Sequence, residues 1–167
     1  MKGCGFATET LSVMFTKSMQ NYLDQFLQSS LPRCLITYQF IEEALRTCLI
    51  NQHAIVYKKL NGALHYNPPI GSIENAALGK LIEYFKVFSK DNCALVKKLN
   101  QVKGHRDNLA HRGYVMYSHE ISEEEAREKL KDCEEKLEYA KTCLNEIHSL
   151  GADLELQANT LYDKPKI

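Results

Sequence analysis

Along most of this chain apolar residues recur in steps of three and four, the spacing of one helix face. The first stripe, Leu11, Met14, Phe15, Met19, Tyr22, Phe26 and Leu27, predicts a helix from Thr8 to about Gln28 after a loose end over 1–7, with Ser29, Ser30 and Pro32 as its stop. Pro32 suits the first turn of a second, longer helix reaching about Leu60, with Ile41, Ala44, Leu45, Cys48, Ile55 and Val56 on its apolar side. Asn61-Gly62 and Asn67-Pro68-Pro69 make 61–71 the longest internal loop. Loops of that length often cap a site, so His65 and Tyr66 are candidates to meet a base or ribose.

Ser72 with Asn75 opens a third helix to about Phe88, with Leu78, Leu81, Ile82, Phe85 and Phe88 inward. Asp91 caps a fourth, whose stripe is Leu95, Leu99, Val102, Arg106 and Leu109 and whose end is a left-handed turn near Gly113. Gly104 costs roughly 1 kcal/mol inside that helix, which predicts a kink or a close backbone approach there. Ser122 and Glu125 form a capping box ahead of a long helix, Glu123 to Leu150, stopped at Gly151. Its seam is Ala126, Leu130, Cys133, Leu137, Ala140, Leu144 and Ile147, and residues 152–167 read as a short helical turn and a polar tail. The whole predicts an all-α fold: one domain over 1–167, an antiparallel bundle of about five helices with its core over about 8–150.

Composition changes this picture little, since 44% apolar and 25% charged residues are ordinary for a folded domain of 167 residues. A net charge of zero argues against coating nucleic acid by bulk electrostatics. The charge is unevenly placed, with a net +4 over 97–112 and −5 over 120–138; the acidic stretch reads as a solvated helix face, the basic one as a phosphate-facing surface. Cys4, Cys34, Cys48, Cys93, Cys133 and Cys143 contain no Cys-x-x-Cys pair and no ligand-like cluster with histidine, so no metal and no cofactor are expected, and a reduced, cytoplasmic protein is. No apolar segment precedes Gly3-Cys4, so no signal sequence is expected, and the short apolar runs predict no membrane span.

The chemistry concentrates in Gly104 to Tyr114. Arg106 occupies a slot of the stripe that calls for an apolar residue. A guanidinium is costly to bury unpaired, so it needs a fixed carboxylate or a crevice that meets an anion. Glu42, at the margin of the second helix's apolar side, is the candidate carboxylate. Asp107 and His111 stand four apart and share a face, so the carboxylate can orient the imidazole. Cutting a ribose phosphodiester without metal needs a proton carrier and fixed positive charge, roles open to His111 and Arg106. Residues five apart on a helix point about 140° from each other. One copy therefore converges poorly on a phosphate, whereas two copies across a twofold axis would line one cleft.

Arg106, polar Asp107, a short spacer and His111 on a helix of a small helical chain resemble the HEPN superfamily, and Arg-Asp-x-x-Ala-His-Arg over 106–112 is most similar to its abortive-infection branch. The resemblance implies a helical bundle, a homodimer with a composite cleft and, in active members, metal-independent endoribonuclease activity, often as a toxin or in antiphage defence with an antitoxin or other regulatory partner protein. It gives Arg106 and His111 the catalytic roles and Asp107 a tuning one. Lys103, His105, Asn108, Arg112 and Tyr114 around them are then the expected RNA contacts. Some toxins of the group carry a tyrosine two residues after the histidine, a target for modification; here Gly113 stands there and Tyr114 follows, so that control is not expected. Some members have lost catalysis, so a non-catalytic helical module that binds nucleotide, RNA or a partner protein is the alternative.

Overall fold

In the computed structural model, residues 17–60, 64–89, 93–112 and 121–161 are described. Leu11, Met14 and Phe15 of the first stripe, the Asp91 cap, Gly113 and Tyr114 lie outside them. All regular structure among the described residues is helical: α1 (Lys17–Gln25), a wide turn (Phe26–Ser30), α2 (Leu31–Leu60), α3 (Ile70–Glu74), α4 (Leu78–Phe88), α5 (Cys93–Arg112) and α6 (Glu123–Thr160).

Ser29, Ser30 and Pro32 do not stop the first helix as expected. The helical path continues from α1 into α2 through the wide turn, where the Leu31 amide donates to the Phe26 carbonyl five residues back. Pro32 has no N–H to give and its ring crowds the preceding turn; one widened turn accommodates both demands without ending the helix. The axis changes direction there, because Gln25 reaches Glu134 while Cys34, nine residues on, lies against neighbouring Cys133.

α2 is the central element, buried along much of its length by Cys34, Tyr38, Ile41, Leu45, Cys48, Leu49, Gln52, His53 and Ile55. Its most extensive contact is with α6. Cys34 meets Cys133, Cys48 donates to the Ile147 carbonyl and Lys58 to that of Ala158, so the two helices advance together and run parallel. α5 runs the other way: Lys98 pairs with Glu146, whereas His105, further along, packs on Tyr139. The antiparallel expectation thus holds for α5 against α6 but not for the α2–α6 pair.

Two further boundaries move. The predicted 72–88 helix is split into α3 and α4 around Asn75–Ala77, because the carbonyls of Ile73 and Ala76 are drawn out to the Arg46 side chain. α6 does not stop at Gly151: it continues to Thr160 and buries Leu154 and Ala158, in a stretch whose pattern predicts only a short helical turn and a polar tail. A Cβ at Gly151 would lie 3.3 Å from Cys48 Sγ, so the glycine lets α6 pass close to α2 while remaining helical.

Candidate functional site

Arg106 is brought to α2 by the buried stripe of α5, since Leu99, Val102 and Leu109 around it are inward. Its side chain stays 27% exposed, and its fork is shared between two carboxylates. Nη1 lies 3.2 Å from Glu42 Oε2, while Nη2 and Nε lie 3.0 Å and 3.2 Å from Asp107 Oδ1. Glu42 therefore stands where the apolar stripe required a counter-charge. Asp107 Oδ2 accepts from Lys103 Nζ at 2.7 Å. Lys103 and then Arg106 hold the Asp107 carboxyl below its ordinary value despite partial burial.

Glu42 does more than pair with Arg106. Its Oε2 also accepts from the Leu78 amide at 3.2 Å, an orphan donor at the start of α4 that Ala77 cannot cap. Its Oε1 lies 3.3 Å from Arg46 Nη2. Arg46 in turn pairs with Glu43 and donates to the carbonyls of Ile73 and Ala76 at 3.3 Å and 3.1 Å. One face of α2 thus anchors the 73–76 stretch joining α3 to α4, the α4 N-terminus and Arg106 together. The i, i+4 spacing of Glu42 and Arg46 permits their pairing; nothing in the pattern signalled the amide or the carbonyls.

The expected partnership of Asp107 with His111 is not what the structure shows. Both Asp107 oxygens are taken by Lys103 and Arg106, permanent cations within reach, and His111 is exposed with no hydrogen bond or ion pair among the described residues. Asn108 and Arg112 are exposed as well. Counting about 100° per residue, Lys97, Gly104, Asn108 and His111 fall on one outward stripe of α5, opposite the Arg106 side. His105 turns instead to α6, its ring edge-on to Tyr139 at 5.6 Å, and is lowered below the ordinary histidine value by burial first and Lys136 second, with Asp132 opposing. Lys98, counted among the basic residues facing phosphate, is paired with Glu146. Gly104 shows no close approach, for nothing lies within 4 Å of a Cβ built there and α5 runs through it.

The loop contacts differ too. The Tyr66 hydroxyl hydrogen-bonds His53 Nδ1, with the rings stacked at 6.0 Å, and His53 packs edge-on against Phe88 at 4.8 Å. Tyr66 is thereby a clasp for residues 64–69 ahead of α3, while His65 stays exposed. A separate cavity of about 580 Å³ lies between α2 and α6 over Ala44, Cys48 and Ile147, with Thr47 and Asn51 on its rim. These rim residues stand about 140° and 180° around α2 from Glu42, so the cavity opens on a different side of α2 from the Glu42–Arg106 pair. Among the described residues no three His, Cys, Asp or Glu side chains converge as metal ligands would, and no helix is long and apolar enough to cross a membrane.

Compared with known proteins, the chain matches no family model, no curated protein and no solved structure.

Proposed function

We propose that this chain is a metal-independent endoribonuclease of the HEPN type, acting as a homodimer and serving as a toxin or antiphage effector. The observation that carries the reading is Arg106: a residue on a buried stripe whose guanidinium is nevertheless led to the surface and aimed by two carboxylates, with His111 exposed five residues later. Arg106 would hold the phosphate oxygens, and His111 would exchange the proton of the 2′-hydroxyl or the leaving oxygen. Asp107 and Glu42 orient the fork instead of touching the substrate, and Asn108 and Arg112 supply contacts along the RNA backbone.

Incubation of purified protein with mixed RNA in EDTA tests this. Wild type yields fragments ending in cyclic phosphate, and His111→Ala or Arg106→Ala lowers the rate about 10² to 10⁴-fold without changing the oligomeric state. Full cleavage by His111→Ala defeats the assignment. A second reading is favoured by one specific fact, the engagement of all three guanidinium nitrogens of Arg106 by Glu42 and Asp107, which leaves two of its five N–H donors for a ligand. Under it Arg106 is an internal tie in a module that binds without chemistry, and Arg106→Ala lowers the melting temperature while no wild-type RNA product forms.

A further inference from the structure

Of the five cysteines among the described residues, four are buried, yet only two of those meet each other. Cys48 donates to the Ile147 carbonyl at 3.5 Å, and burial pushes the thiols of Cys48 and Cys143 up to about 11, as expected of small core side chains. Cys34 and Cys133 differ. Their Sγ atoms stand 3.6 Å apart, and the Cys34 thiol donates to the Cys133 carbonyl at 3.3 Å. They face each other across the parallel α2–α6 contact, just beyond the wide turn at Phe26–Ser30.

We propose that Cys34 and Cys133 form a reversible disulfide site, closed by a hydroperoxide and reopened by a low-molecular-weight thiol. Closing needs the sulfurs to approach from 3.6 Å to about 2.05 Å. Cys34 is assigned the attack because a hydrogen bond from the Cys133 thiol and the nearby charges of Lys136 and Arg33 favour its thiolate, against burial and its own bond to the Cys133 carbonyl. Its thiolate attacks one peroxide oxygen, the O–O bond breaks, and hydroxide leaves as the Cys34 sulfenic acid forms. Cys133 then gives up its proton, its sulfur attacks that of Cys34, and the S–O bond breaks. The two thiols lose two electrons in total, and hydrogen peroxide becomes two waters. Two rounds of thiol exchange restore the thiols and convert the reductant into its own disulfide.

Both sulfurs are fully buried, so the reaction proceeds through local opening. The wide turn is the place for it, since its i→i−5 hydrogen bond replaces regular helix one turn before Cys34. The bridge would close a chain loop of about 100 residues and clamp α2 to α6. A loop of that length raises the melting temperature by on the order of 10 °C.

The test uses the full chain carrying Cys4→Ser and Cys93→Ser, which removes the exposed thiol of Cys93 and that of Cys4 from competition. After hydrogen peroxide, remaining thiols are alkylated in denaturant and the digest is read by mass spectrometry. The expected result is a Cys34–Cys133 linked peptide as the main product, a melting temperature higher by on the order of 10 °C, and reversal of both by dithiothreitol. A further Cys133→Ser variant, whose hydroxyl keeps a hydrogen-bond donor beside Cys34 but cannot form the bridge, strands Cys34 as a sulfenic acid that dimedone labels. Linkage through Cys48 or Cys143, full alkylation of Cys34 and Cys133 after peroxide, or absence of the dimedone adduct overturns the proposal.

Discussion

Glu42 serves three donors from three elements: Arg46 on its own helix, Arg106 on α5 and the Leu78 amide at the head of α4. Removing it leaves two guanidinium groups and an orphan amide short of an acceptor. Glu42→Ala should cost about 2 kcal/mol, read from denaturant unfolding, whereas Glu42→Gln, which keeps an oxygen for Leu78, should cost less. An unchanged midpoint for Glu42→Ala would mean the network is ornamental. Titration separates the remaining groups. Burial holds His53 and His105 below the ordinary histidine value of about 6.5, so on acidification the unfolded chain takes up protons first. Their contribution is fully present above that value and is lost as the pH falls through the folded values. Asp107, held low by Lys103 and Arg106, acts in a different window, its contribution fading only below about pH 4. A melting series from pH 8 to 5 should therefore slope downward in wild type and flatten in His53→Gln/His105→Gln; an equal slope in both removes the two histidines as the cause. The stripe that made Arg106 an anomaly made its need for a carboxylate legible from sequence, and the marginal place of Glu42 named one. Which atoms Asp107 would choose was not legible, because Lys103, Arg106 and His111 all stand within its reach along one helix.

At the scale of elements, periodicity located the helices well and their ends less so. Apolar spacing reports a face, and α2, α4, α5 and α6 all have one. Boundaries depend on whether a breaker's local preference is outweighed by what packs beyond it. Pro32 is absorbed by a widened turn because α2 continues into a buried contact, and Gly151 is carried through because Leu154 and Ala158 are still inward on α6. Asn75 does interrupt, since Arg46 rewards the interruption with hydrogen bonds to Ile73 and Ala76. Gly104 is the informative opposite case: exposed, helical, and with open space where a methyl group would go. Gly104→Ala should raise stability by roughly 0.5–1 kcal/mol through helix propensity and unfolded-chain entropy, and the melting temperature by about 1–4 °C. A fall would show that α5 needs glycine backbone freedom there. Because Gly104 shares the outward stripe with Asn108 and His111, the same variant tests the ribonuclease reading: crowding by one methyl should raise the KM for RNA if the backbone of the substrate lies along that stripe.

In the whole molecule, the consequence of the parallel α2–α6 pair is that α5 is the element running against them, with Arg106 turned in toward α2 and His111 turned out. Sequence spacing already set these two side chains about 140° apart; it did not show that α2, some 60 residues away, would be the wall on the Arg106 side. Two stripes four residues wide look alike whichever helix covers them, so neighbours at long separation stay hidden from periodicity. The divergence matters to the proposed chemistry, because one helix cannot bring both groups to one phosphate. A second copy can, its His111 facing the first copy's Arg106. Mixing inactive Arg106→Ala with inactive His111→Ala under conditions of subunit exchange then makes a decisive measurement. In heterodimers the shared cleft holds one cross-chain Arg106 and His111 pair with both groups intact and one pair with both lost, so an equilibrated equimolar mixture should recover about a quarter of wild-type cleavage. If each working pair is instead drawn from one chain, no heterodimer contains an intact pair and the mixture stays as inactive as its parents. Recovery that appears only when exchange is allowed, and that disappears on dilution below the dimer dissociation constant, would tie the activity to a shared cleft.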